Sequence, residues 1–102
     1  MAQVAREVTL QRRIDHYLDY LCDQWDGIPA VASEWQEWED ESRQTFLANW
    51  AVPRDRLHSL KQWAEQGLLS TAQRARYDVL LELVERQRPT LERLFGEPVR
   101  SE

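Results

Sequence analysis

Apolar side chains recur along this chain at helical spacing, with polar residues between them. Ile14, Tyr17, Leu18, Leu21, Cys22 and Trp25 are separated by three, one, three, one and three positions, which places them on one face of an α-helix. The pattern predicts a helix over 9–26, with Thr9 as N-cap, or an earlier start if Val4 and Val8 continue the stripe. Gly27 is expected in the left-handed position after the helix, with Ile28 folding back and Pro29 ending the run. Pro29 also suits the first turn of a second helix over 29–50, on which Val31, Trp35, Trp38, Phe46 and Trp50 lie close to one face. Glu39-Asp40-Glu41 leaves two readings of that run: one kinked helix, or two with Asp40 capping the second.

Val52-Pro53 closes this segment, because a residue before proline avoids helical angles. Pro53 opens a helix over 53–66 with Leu57, Leu60, Trp63 and Ala64 on one face, and Gly67 follows its end. Ser70-Thr71-Ala72-Gln73 has the form of a capping box, the serine bonding forward and the glutamine reaching back. Tyr77, Leu80, Leu81 and Val84 form the stripe of the strongest helix, over 71–88. Pro89 is expected to kink that helix or to start a last short one over 89–95 carrying Leu91, Leu94 and Phe95, before a frayed tail at 97–102. No useful stretch alternates with period two, and there is no internal repeat. The expectation is therefore a single all-α domain over 1–98. Four to five helices should form a compact antiparallel bundle-like arrangement with short Gly/Pro loops.

With 102 residues and 42% apolar content, the chain has enough apolar surface for one core and is not a disordered segment. Its longest apolar run, Val79-Leu80-Leu81, is far short of the roughly 20 residues that span a bilayer, so no membrane segment is expected. A lone cysteine, Cys22, excludes a disulfide framework and points to a cytoplasmic location.

Charge sharpens the picture. The net charge is −5, and residues 15–41 carry nine acidic side chains with no lysine or arginine. Asp15, Asp19 and Asp23 follow one another at four-residue intervals and form a like-charged column. Such a segment is either a solvated face or a surface that steers a basic partner. Trp35 and Trp38 sit inside it, flanked by Glu34 and Glu37. Tryptophan is enriched at the energetic centres of interfaces, although core packing is the commoner role for the five in this chain. The candidate partner-binding set is Asp15, Asp19, Asp23, Glu34, Trp35, Glu37 and Trp38.

Chemistry is sparse by comparison. Asp55 and His58 lie one turn apart, but they make only an approximate half of a di-iron motif, and no metal site is expected. Cys22 falls on the apolar stripe with no basic neighbour in sequence, which suits an inert buried thiol. There is no glycine-rich phosphate loop, nucleophile elbow, Cys-x-x-Cys or His-Glu-x-x-His. The chain is read as a non-enzyme without a cofactor. A nucleic-acid regulator is an alternative, using Arg54, Arg56, Gln73, Arg74 and Arg76 from two helices joined at Gly67, but the net charge has the wrong sign for phosphate. Self-association through helix stripes, as a homodimer or assembly subunit, is another.

The stretches Val52-Pro53-Arg54-Asp55-Arg56-Leu57, LLSTAQRARY (residues 68–77) and RPTLERL (residues 88–94) give residues 10–95 a texture that resembles short, acidic, Trp-rich bacterial proteins of antitoxin type. That resemblance implies a small module that binds and neutralises a basic partner protein. Antitoxins usually add a DNA-binding element, and none is clear here.

Overall fold

The computed structural model describes residues 2–96, with side chains from Thr9 onward. Its regular structure is all helical: α1 (Ala2–Asp26), α2 (Ile28–Glu34), a 3₁₀ turn (Trp35–Glu37), α3 (Asp40–Asn49), α4 (Ala51–Glu65) and α5 (Thr71–Leu94). The tail expected at 97–102 lies outside the described residues. The expectation of four to five helices is corrected to three long ones joined by shorter pieces. Three long helices, α1, α4 and α5, form the frame, and the chain between α1 and α4 is broken into short pieces.

The helix ends show how local chemistry set these limits. Gly27 has φ −80°, not a left-handed angle, and donates to the Asp23 carbonyl at 3.1 Å, so α1 runs almost directly into α2. The break between them follows from Pro29, which has no N–H to continue the ladder. At the next break Trp38 and Glu39 are both extended (ψ 147° and 153°), so Glu39 rather than Asp40 occupies the N-cap of α3. Residues 29–50 are thus not one helix. At the end of α4, Gly67 does take a left-handed angle (φ 74°). The Leu68 N–H bonds the Trp63 carbonyl and the Gly67 N–H the Ala64 carbonyl, which makes a Schellman ending. Ser70 and Gln73 then form the reciprocal capping box that opens α5.

Helix α5 continues through Pro89, contrary to the expected division into 71–88 and 89–95. The reason lies in its stripe. Tyr77, Leu80, Val84, Leu91 and Leu94 are all buried and stay in one helical register across the proline, so their burial outweighs the one missing hydrogen bond.

The core is centred on α1. Ile14, Leu18, Leu21, Ile28, Leu60 and Leu80 are essentially inaccessible to solvent, and α1 packs against both α4 and α5. Trp25 meets Trp50, and Tyr17 meets Trp63, so α4 runs antiparallel to α1. Gln73 reaches Gln11 and Asp15, whereas Arg76 reaches Asp19, so α5 runs in the same direction as α1. The three long helices therefore alternate in direction along the chain, α1 and α5 sharing one. The molecule is also elongated rather than compact. It measures 52 × 24 × 23 Å and has a radius of gyration of 15.8 Å, against about 13 Å for a compact domain of this length. Its length arises because α5 overshoots the end of α1 and packs on α2.

Candidate functional site

The acidic segment is divided by the fold. Asp15 accepts a hydrogen bond from Gln73 Nε2 at 2.9 Å, and Asp19 pairs with Arg76, so two members of the α1 column face α5 rather than a partner. Asp40 pairs with Arg43 at 3.1 Å. Asp23, Asp26, Glu34, Glu37, Glu39 and Glu41 are exposed and make no ion pair with a described residue. The free acidity is therefore concentrated at the end of the molecule built from α2, the 3₁₀ turn and the start of α3.

That end also carries an aromatic chain. Trp25 stacks edge-on against Trp50 (5.2 Å between centroids), Trp50 against Phe46 (5.6 Å), and Phe46 against both Trp35 (5.7 Å) and Trp38 (6.0 Å). Trp35 and Trp38 also face each other at 5.5 Å. The two tryptophans that the sequence paired are not equivalent. Trp35 packs against the buried core, whereas Trp38 is the outermost ring and touches only Trp35 and Phe46 within the aromatic chain. Arg43 holds the arrangement in place. Its Nε and Nη2 donate to the carbonyls of Trp35 (2.9 Å) and Gln36 (3.1 Å), while Nη1 bonds Asp40. These bonds satisfy carbonyls at a helix end and fasten the 3₁₀ turn to α3. Sequence reasoning missed Arg43; the signal was a single arginine just after a long acidic run.

The five residues considered for nucleic acid do not form a surface. Gln73 is buried (5% exposed), and its amide is committed to Gln11, Asp15 and the capping box, so it is corrected from contact to scaffold. Arg76 is tied to Asp19 and Arg74 to Asp78. The Arg56 guanidinium lies over the rings of Tyr20 (4.4 Å) and Tyr17 (5.3 Å). Arg54 faces elsewhere, into a cleft between α4 and α5.

That cleft was not visible in the sequence. Helices α4 and α5 barely touch each other, since α1 holds both from one side. Two adjoining cavities of about 490 and 520 Å³ fill the gap and share Arg54, Leu57, Val84 and Arg88 in their walls. The α4 wall is Trp50, Arg54, Leu57 and Lys61, and the α5 wall is Tyr77, Leu81, Val84, Arg88, Leu91 and Phe95. His58, Glu85 and Glu92 complete the polar lining.

Other titratable groups are plain. Burial raises the Cys22 thiol above its ordinary value, aided by Asp19, Asp23 and Asp26 and opposed by Arg76. Burial likewise raises the Tyr77 hydroxyl. His16 and His58 are exposed, and among the described residues no cluster of His, Cys, Asp and Glu is suited to hold a metal ion. No described helix is long and apolar enough to cross a membrane. No protein-family model, curated protein or solved structure matches the chain.

Proposed function

We propose that this chain is a small acidic protein-interaction module that docks a basic partner protein at the end bearing Trp38, in the manner of an antitoxin. The observation that supports this reading most directly is the position of Trp38. It is a large ring held at the outside of a rigid aromatic cluster, within a rim of Glu34, Glu37, Glu39 and Glu41 that have no described ion partner. An aromatic anchor with a charged rim supplies both parts of an interface, since the ring gives residence time and the carboxylates speed encounter. Trp35 supports that anchor from the core side, and Asp23 with Asp26 extends the acidic field along α1. Asp15 and Asp19 belong to the scaffold. The three long helices act as a stiff bundle that presents this end.

Capture from an extract of the native host, graded by salt, tests the reading. The wild-type chain should retain a basic protein that Glu37→Lys with Glu41→Lys releases, and retention should weaken with salt because the charges involved are exposed. Trp38→Ala should lower affinity by more than about 1 kcal/mol, measured on chain shown to be folded, because the half-buried ring also packs on Trp35 and Phe46 and its loss lowers the melting temperature. Equal retention by the charge-reversed variant at all salt concentrations would remove the basis of the proposal.

A further inference from the structure

The cleft between α4 and α5 has no role in that reading. Along α5 its lining runs from Tyr77 to Phe95; Tyr77, Val84 and Leu91 also belong to the buried stripe, whereas Leu81 and Phe95 are only partly covered. From Tyr77 to Phe95 it extends about 27 Å, five turns of helix at 1.5 Å per residue. The α4 wall holds Arg54, Leu57, His58 and Lys61, with Trp50 at the helix N-cap. A trough of this length between two helices has the shape of a seat for another helix. Leu81 remains 38% exposed on this wall, an apolar side chain left uncovered.

The charges specify the occupant. The basic positions in the walls are Arg54, Lys61 and Arg88, and His58 adds a third basic group on the same edge of α4. Arg54 and Lys61 make no ion pair with a described residue, and the acids along the opposite wall, Glu85 and Glu92, leave Arg88 shared with Glu85. We propose that this trough docks an amphipathic helix of a partner protein. Its apolar stripe lies on the incompletely buried Leu57, Leu81 and Phe95, and its carboxylates meet Arg54 and Lys61. The chain therefore carries two surfaces of opposite preference, a Trp38 end for a basic protein and an α4/α5 trough for an acidic helix, and it links the two.

The test uses the full chain and two synthetic peptides of about 18 residues, a length that matches five turns. Both carry leucine at heptad positions a and d; one has glutamate and the other lysine at e and g. The glutamate peptide should bind at least about tenfold more tightly than the lysine peptide. Arg54→Glu with Lys61→Glu, both at exposed sites, should reverse that preference while circular dichroism stays unchanged. Glu37→Lys with Glu41→Lys should leave peptide binding as in the wild type, which separates this site from the Trp38 surface. Equal binding of the two peptides, or a preference that survives the double substitution, would overturn the proposal. So would a wild-type dimer in sedimentation that Leu81→Asp abolishes, since the occupant would then be a second copy.

Discussion

Gln73 joins three parts of the molecule with one side chain. Its Oε1 accepts from the Ser70 N–H, while its Nε2 donates to Asp15 and the Gln11 carbonyl, so it caps α5 and fastens that cap to α1. Gln73→Ala should cost about 1–2 kcal/mol in urea denaturation, because it removes the returning half of the capping box and the part-buried bonds to Asp15 and Gln11. A loss below about 0.5 kcal/mol would show that the amide contributes little. The sequence displayed the capping box but not the second bond, because spacing reveals partners three residues away and nothing 58 residues away. The sequence does not separate Trp38 from Trp35, since one stripe cannot tell the inner ring from the outer. Cys22 and Tyr77 give a pH prediction. Both groups hold their protons more tightly folded than unfolded, so the unfolded chain releases them first as pH rises. Stability should be unaffected at neutral pH and should decline in alkali from the ordinary thiol value near 9.0 upwards, as thermal melts across pH 7–11 will show.

At the scale of elements, periodicity located the stripes of the three long helices, and the boundaries it misplaced include those at Gly27, Pro89 and the Trp38–Glu39 break. Pro29 and Pro89 look alike in sequence, yet one marks a break and the other does not. The difference is tertiary: Leu91 and Leu94 are buried beyond Pro89, whereas beyond Pro29 the chain soon leaves helical geometry at Trp38. Pro89→Ala should therefore raise stability, by about 1–3 kcal/mol, since it restores a hydrogen bond within a helix that already exists. An unchanged or lowered melting temperature would mean that α5 depends on a bend at the proline. Arg43→Ala should have the opposite effect on its own segment. Freeing the carbonyls of Trp35 and Gln36 should cost about 1–3 kcal/mol and change the tryptophan fluorescence of the 35–46 cluster. Hydrogen exchange is expected to quicken at residues 35–43 and to stay unchanged in α5.

Over the whole molecule, what escaped the sequence was relative placement. Helically spaced residues on α4 and α5 were readable one helix at a time, but their burial on α1 and the gap between them depend on how far α5 slides past its neighbours. That slide also makes the molecule 52 Å long, which places the Trp38 end and the α4/α5 trough on a rod instead of a sphere. Solution scattering should return the dimensions of an extended particle, and a radius of gyration near 13 Å, the compact value, would disagree with this packing. Within residues 15–41 the acidity divides: Asp15, Asp19 and Asp40 are bonded to neighbouring side chains, and the unpaired acids lie at the end of α1, on α2, the 3₁₀ turn and the start of α3. The central claim is that this end contacts another protein in the cell. A photo-crosslinking amino acid placed at Gln36, an exposed neutral position in the 3₁₀ turn, tests it directly in the living host. The account predicts one dominant adduct with a basic protein, absent when the crosslinker is moved to exposed Glu82 on α5 and reduced when Trp38→Ala is added. Adducts of equal yield and identity from both positions, or none at Gln36 from a folded and well-expressed chain, would contradict it.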